Sequence, residues 1–364
     1  MKGSRQRIHA VILAGGAGER FWPASRRHHP KPFLRVEGRR TLLDATLDRA
    51  RRVAGRERVW VVCGSEHAAP LRRAAKLPAG RVLVEPVRRN TAMAVALAAQ
   101  RIGAQDPDAP FVVLPADHRI PDARAFAADV RRAAKAAREE GVLVTLGVRP
   151  TRPDPGLGYI QIGRAVGRAH PGLHRARRFV EKPTPAVARR YLRQGDYLWN
   201  AGIFVWTPRT ILEEIERCAP DLHRALAPLR RAFARSRRLS AAALRRAYKA
   251  APSQPIDKAV MERSRRVWTC PVEWHWSDVG TWQSLAEELG VAPGASSVVA
   301  GDLAFDEPGG NLVWADGRTV ALLGVEGLAV IETDDALLVA RLDRSAELRR
   351  VVEGLKASGR VDVT

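Results

Sequence analysis

The chain has 364 residues with 61 Lys and Arg against 39 Asp and Glu, a net charge of +22, and is 46% hydrophobic and 27% charged. That balance excludes a wholly disordered chain and leaves ample material for a core, while no apolar run approaches the roughly 20 residues that cross a bilayer. Cys63, Cys218 and Cys270 are too widely spaced for a metal pattern or a disulfide framework, and the arginines are scattered among alanines without the interleaved aromatics of a nucleic-acid surface, so a cytoplasmic protein with no membrane and no specific nucleic-acid partner is expected.

In chain order, 8–13 reads as a buried strand and 42–53 as a helix, with Leu43, Leu47 and Ala50 on one face. Strands follow at 59–62 and 82–84, then an Ala-rich helix at 91–102 capped by Asn90 or Thr91. A strand at 111–114, a helix at 126–138 and a strand at 142–148 complete the first half. Apolar strands alternating with helices predict βαβ units, hence an α/β fold: a Rossmann-like mixed, mainly parallel sheet flanked by helices. The middle adds strands at 159–162, 176–181 and 203–206, and helices at 209–217, 219–234 and 241–249. The texture changes after Pro293-Gly294, where short β runs at 298–300, 312–314, 320–323, 328–331 and 337–340 precede a helix near 346–355. Two domains are expected, at 1–292 and 293–364, the second a small β domain with a terminal helix.

In open α/β sheets, ligands sit beyond the carboxyl ends of the strands, so the loops there are where chemistry is sought. The first strand runs into Leu13-Ala14-Gly15-Gly16-Ala17-Gly18-Glu19-Arg20. Glycines let backbone N–H groups approach a phosphate chain, and Arg20 adds a bidentate cation. No Gly-Lys-Ser/Thr follows, so this is not a Walker loop, and Phe21 stands where the dinucleotide fingerprint has its third glycine. Alone, such a loop is also an ordinary strand-to-loop turn. Phe21-Trp22-Pro23 and Pro30-Lys31-Pro32-Phe33-Leu34 complete a longer pattern. Over 13–34 the chain resembles the leading motif of the sugar-nucleotide pyrophosphorylases, nucleotidyltransferases that join a sugar 1-phosphate to a nucleoside triphosphate. The resemblance implies that Leu13, Gly15, Gly16 and Gly18 wrap the nucleotide phosphates and that Arg20 and Lys31 neutralise charge at the reacting phosphorus.

Glu85-Pro86-Val87-Arg88-Arg89-Asn90-Thr91-Ala92 follows the third strand. Guanine presents N1–H and a 2-amino group, which a carboxylate at a strand end can accept. The segment resembles the Glu-Pro-x-x-Arg-Asn-Thr-Ala motif of the family's guanylyl branch, with Met93 where a proline is usual. That implies Glu85 and Asn90 near the base and Arg88 near the phosphates or ribose. Leu114-Pro115-Ala116-Asp117-His118 ends the fourth strand, and Trp276-Ser277-Asp278-Val279-Gly280 lies far downstream. Nucleotidyl transfer calls for Mg²⁺ on oxygen ligands. The resemblance implies Asp117 and Asp278 as the metal pair, although spacing alone does not show that they meet.

Gly156-Leu157-Gly158-Tyr159, Val180-Glu181-Lys182-Pro183 and Trp199-Asn200-Ala201-Gly202 occur in the family's order. They imply a close backbone approach at Gly158, sugar hydroxyls held by Glu181 and Asn200, and the sugar phosphate met by Lys182. Pro255-Ile256-Asp257 resembles a guanylyl-branch segment that usually begins Ser-Ile-Asp; with proline at 255, no chemistry is assigned to Asp257. The resemblance covers about 8–341 and implies GTP and mannose 1-phosphate as substrates, Mg²⁺ as cofactor and GDP-mannose as product. It further implies a β-helical C-terminal portion, a homodimer built through it, and a monofunctional enzyme, since the chain is short of the isomerase domain some relatives carry. A heptose or glucose 1-phosphate as acceptor, or a non-catalytic nucleotide-sugar-binding regulator, are the alternatives.

Overall fold

The computed structural model describes residues 7–16, 18–36, 40–236, 240–292, 297–306 and 309–364. They divide into two compact units: Met1–Gly15, Thr46–Pro115 and Ile120–Trp276 in the first; Gly16–Ala45, Ala116–Arg119 and Ser277–Thr364 in the second.

The first unit is built on nine strands: β1 (His9–Leu13), β2 (Val59–Gly64), β3 (Val82–Glu85), β4 (Phe111–Pro115), β5 (Leu143–Val148), β6 (Tyr159–Ala165), β7 (His174–Val180), β8 (Tyr197–Trp206) and β9 (Val267–Val272). Their order across the sheet is β3-β2-β1-β4-β8-β5-β9-β7-β6. The β3-β2-β1-β4 run is wholly parallel, as is the β5/β9 pair. β8 is antiparallel to both β4 and β5, so the sheet is mixed. β2 is buried along its whole length, as expected of a parallel strand covered on both faces. Helix Ala123–Glu140 packs on β4, β5, β8 and β9. It is started by Asp122, whose carboxylate accepts from the N–H groups of Arg124 and Ala125, and ended by Gly141 in the left-handed conformation. Helix Asn90–Gly103 is buried almost all round, which explains why its small alanines show no polar face.

Two expected elements differ. The helix expected at 219–234 is two, Pro220–Ala225 and Ala227–Ser236, hinged at Leu226. Trp199-Asn200-Ala201-Gly202 lies inside β8 rather than in a loop before it. Aromatic and apolar residues on both sides of Asn200 are buried there, so the strand extends through the amide.

The second unit contains β10 (Ser297–Asp306), β11 (Leu312–Leu322), β12 (Leu328–Thr333) and β13 (Ala336–Arg341), paired in that order. β10, β11 and β12 are parallel, and β13 closes an antiparallel hairpin on β12. Parallel neighbours in an ordinary sheet need a crossover of a dozen or more residues. Here residues 312–314 of β11 pair with 329–331 of β12, and the residues between them carry the chain round without a helix, so the chain coils as a β-helix does. A second apolar core joins Phe21, Trp22, Leu34 and Leu42 to Trp282, Leu285, Ile331, Leu342 and Val352. Phe21 and Trp282 rings lie 4.8 Å apart, and Trp22 Nε1 donates to the Val363 carbonyl at 2.7 Å. The early segment after the glycine loop is therefore packed with the C-terminal part of the chain. Pro293 and Gly294, on which the expected domain boundary falls, lie outside the described residues. Among those residues, no helix is long and apolar enough to cross a membrane.

Candidate active site

The three glycines of the first loop have different reasons to be glycine. A Cβ on Gly15 would stand 3.4 Å from Glu85 Oε2, whereas one on Gly16 would meet nothing within 4 Å. Gly18 has φ +66°, and a Cβ there would come within 2.5 Å of Ser25 Oγ and 2.7 Å of Lys31 Cβ. Gly16 is thus the position with open space beside its backbone, Gly18 is required by packing, and Gly15 sits beside the Glu85 carboxylate. Leu13 ends β1. Arg20 lies exposed in a 3-10 turn, Glu19–Phe21, and makes no ion pair among the described residues.

Lys31 is 7% exposed, and its ammonium donates to Asp117 Oδ2 at 2.8 Å and to the main-chain oxygen of Asp278 at 2.8 Å. The two aspartates that spacing could not connect are therefore brought to one cation. A backbone clamp holds their loops together: Arg119 N–H donates to the Ser277 carbonyl at 2.9 Å, and Ser277 N–H returns to Arg119 at 3.1 Å. Burial pushes the Asp117 carboxyl up, but the charges of Lys31 and His118 outweigh it and hold the carboxyl below its ordinary value. Val279 follows Asp278 with φ +42°, a conformation a β-branched residue rarely adopts. A Cβ on Gly280 would stand 2.7 Å from Asp278 Oδ2, so the Asp278 carboxylate folds back over bare backbone.

Asp117 and Asp278 offer hard oxygen donors, and no group of three or more His, Cys, Asp or Glu suited to a metal occurs among the described residues. Such a donor set fits Mg²⁺, which is commonly held by one or two carboxylates and completes its shell with substrate phosphates and water.

Glu85 ends β3 and is buried. Tyr248, on helix Ala241–Ala250, donates its O–H to Glu85 Oε1 at 3.1 Å. Burial raises the Glu85 carboxyl to about 7, against the opposing pull of the Tyr248 hydrogen bond and the Arg88 charge. Tyr248 is not singled out from sequence because it sits among arginines, alanines and a lysine in no recognised motif, although that helix buries Ala243, Leu244, Ala247 and Tyr248. Arg88 pairs with Glu66 at 2.7 Å. The expected cap is corrected here: helix Asn90–Gly103 has Arg89 at its N-cap with no side-chain capping bond. Asn90 has φ +62°, and its side chain accepts from Thr91 N–H at 2.8 Å. Thr91 Oγ1 in turn accepts from Ile256 N–H at 2.9 Å, fastening this segment to the one that carries Asp257.

Gly158, Glu181 and Asn200 also come together. A Cβ on Gly158 would lie 2.5 Å from Glu181 Oε2 and 3.1 Å from Asn200 Cβ, so glycine is what admits both side chains. Lys182, with φ +53°, donates to Glu181 Oε1 at 2.7 Å and is largely exposed. The Asn200 amide donates to Asp257 Oδ1 at 2.8 Å, while its Oδ1 accepts from Thr145 Oγ1 and Gly202 N–H. Asp257, given no role on sequence grounds, is therefore part of this cluster. Four non-glycine residues among those described have positive φ, and three of them (Asn90, Lys182 and Val279) are at or beside sequence-predicted site residues, as expected where local strain serves function.

A mixed α/β sheet with a glycine loop after β1, a carboxylate at the end of β3 and another just beyond β4 defines a nucleotide-handling enzyme. The chain belongs to the nucleotidyl transferase family, whose model matches residues 9–290, and a MannoseP isomerase/GMP-like beta-helix domain matches residues 307–355. It is an enzyme of the nucleotidyltransferase kind, acting on a nucleoside triphosphate and a sugar 1-phosphate, in a family that generally uses a divalent metal. It is 36% identical over 368 residues to the mannose-1-phosphate guanylyltransferase of Escherichia coli K12, covering 98% of this chain and 75% of that one. It is 37% identical over 358 residues to the xanthan biosynthesis protein XanB of Xanthomonas campestris pv. campestris strain B100, covering 97% of this chain and 74% of that one. A crystal structure of a mannose-1-phosphate geranyltransferase from Thermus thermophilus superimposes with a TM-score of 0.85 at 37% identity, covering 96% of this chain and 99% of that chain.

Proposed function

We propose that this protein transfers GMP from GTP to α-D-mannose 1-phosphate, forming GDP-mannose and pyrophosphate. The observation that carries the proposal is the single Lys31 ammonium bonded to both the Asp117 carboxylate and the backbone of Asp278: one cation joins the two segments that carry the aspartates, as charge handling at a triphosphate requires. Mannose as the sugar is supported by the similarity to mannose-1-phosphate guanylyltransferases over nearly the whole chain.

An oxygen of the sugar phosphate attacks the α-phosphorus of GTP in line; the new P–O bond forms as the bond to the β-phosphate oxygen breaks and pyrophosphate leaves. The nucleophile is already an anion, so no side chain need remove a proton. Catalysis is then positioning and charge neutralisation. Leu13, Gly15, Gly16 and Gly18 present backbone to the nucleotide, and Arg20 and Lys31 neutralise its phosphates. Glu85 accepts from guanine, with Asn90 beside the base and Arg88 released from Glu66 toward phosphate or ribose. Glu181 and Asn200 serve the sugar, Gly158 gives it room, and Lys182 meets its phosphate. Asp117 and Asp278 would hold Mg²⁺, which supplies charge neutralisation on the phosphates when bound. We assign the transfer chemistry to residues 1–292 and a homodimer contact to the C-terminal β domain at 293–364, whose apolar core also takes in Phe21, Trp22, Leu34 and Leu42, and we place the enzyme in the cytoplasm.

The test crosses ATP, GTP, CTP, UTP and dTTP with mannose, glucose and heptose 1-phosphates and reads pyrophosphate release with and without Mg²⁺. GTP with mannose 1-phosphate is expected to be the best pair and to require the metal. No release with GTP and any of these sugars would refute the proposal.

A further inference from the structure

Sugar hydroxyls are read by groups that accept their protons, and the cluster around Gly158 holds two carboxylates, not one. Asn200 Nδ2 donates to Asp257 Oδ1 at 2.8 Å, and the Asn200 carbonyl is already taken by Thr145 Oγ1 at 3.2 Å and Gly202 N–H at 3.1 Å. With its carbonyl engaged inside the protein and one N–H spent on a carboxylate, Asn200 has little acceptor capacity left for a ligand. Asp257 keeps a second oxygen that no other side chain among the described residues bonds, and the residue is only partly buried. It opens a single turn of π-helix, Asp257–Met261, a rare conformation that recurs at functional sites. The same segment supplies Glu262, whose Oε1 accepts from the Glu181 N–H at 2.8 Å. One short stretch therefore aims one carboxylate at Asn200 and fixes the backbone of Glu181 with the other. Burial first, and then the charge of Glu181, push the Asp257 carboxyl above its ordinary value. A carboxylate desolvated beside another is stabilised by donors, and a polyhydroxy ligand supplies them.

We propose that Asp257 reads a ring hydroxyl of the sugar 1-phosphate directly, alongside Glu181, and that Asn200 is the positioning residue that holds Asp257 for this task. The proposal rests on the transferase function above and deepens it by naming the group that recognises the sugar.

The experiment compares wild type with Asp257→Asn on mannose 1-phosphate and on its 2-deoxy, 3-deoxy and 4-deoxy analogues, with GTP and Mg²⁺ saturating, reading pyrophosphate release. Asn at 257 keeps the shape and an oxygen for Asn200 but loses the charge. For one analogue, wild type is expected to lose about tenfold to a hundredfold in kcat/KM, the range for a hydrogen bond to a charged acceptor. Asp257→Asn is expected to lose a similar factor on mannose 1-phosphate, yet to match wild type within about twofold on that one analogue, with KM for GTP unchanged. A residue that merely supports the fold would instead show losses that multiply on all three analogues, which overturns the proposal. Should Asp257→Asn not fold, Asn200→Ser, which leaves Asp257 charged but unheld, is expected to weaken discrimination at the same hydroxyl; discrimination equal to wild type overturns the assignment. If wild type itself uses none of these sugars, the transferase function falls and this inference with it; an active wild type with multiplying losses removes only the role of Asp257.

Discussion

Gly18 and Lys31 are in contact such that any side chain at 18 would press on the lysine: a Cβ there would stand 2.7 Å from Lys31 Cβ. Gly18 also has φ +66°, which costs an L-residue about 1–2 kcal/mol. Gly18→Ala is therefore expected to lower stability by that order and to displace Lys31 from its partners. Thermal unfolding and turnover measured together check this; an alanine variant with wild-type turnover would show that the Lys31 position tolerates the pressure.

Lys31→Met removes the cation shared by Asp117 and the Asp278 backbone. Turnover is expected to fall by orders of magnitude, and stability by about 1–3 kcal/mol at neutral pH, the cost of stranding a partly buried hydrogen-bonded charge. The sign with pH follows from the Asp117 carboxyl lying below its ordinary value. Its contribution to stability is present above the unfolded carboxylate value and lost as pH falls through the folded one. The stability gap between variant and wild type should therefore be wide at pH 7 and narrow in acid, as chemical denaturation at several pH values will show.

Asp278→Asn keeps the main-chain oxygen that Lys31 uses and removes only the carboxylate charge. A folded, stable protein with turnover reduced by orders of magnitude is expected. Near-normal turnover at ordinary Mg²⁺ would take Asp278 out of the metal pair.

Glu85 titrates in the physiological range because burial raises it to about 7, with Tyr248 and Arg88 opposing and Glu66 assisting; the Cys63 thiol, pushed up to about 12 by burial first, also feels the Glu85 charge. The ionised form is the better acceptor for guanine, so KM for GTP should fall as pH rises from about 6 to 8. Tyr248→Phe deletes the hydrogen bond that lowers the carboxyl and should move this profile to higher pH. Glu85→Gln should abolish it and weaken GTP more than a pyrimidine triphosphate. Folding follows the opposite sense. A carboxyl raised in the folded state loses stability as pH climbs from its unfolded value, near 4.5, through the folded one, so Glu85→Gln should unfold at higher temperature than wild type at pH 8 and not at pH 4.

Local patterns carried far in the sequence. Strand β1, β3 and β4 boundaries lie within a residue or two of those predicted from apolar runs, because such runs are set by neighbours along the chain. The positions of Glu85 at the end of β3 and of Asp117 just beyond β4 follow from the same signal. Asn90 misled because a positive φ leaves no local trace: asparagine before a helix reads as a cap, and here it is the first residue of the helix, in the left-handed conformation, with Arg89 at the N-cap.

The chain by itself determined the alternation of strands and helices, the glycine loop after β1 and the residue types available for phosphate, base and sugar, since these depend on periodicity and on side-chain chemistry. Only the tertiary structure decided which of them meet. Asp117 and Asp278 at one ammonium, Tyr248 on Glu85 and Asp257 on Asn200 are contacts between distant segments, 163 residues apart for Tyr248 and Glu85. Such partners are selected by sheet order and by the burial of whole elements, and nothing in the spacing of residues along a chain encodes them.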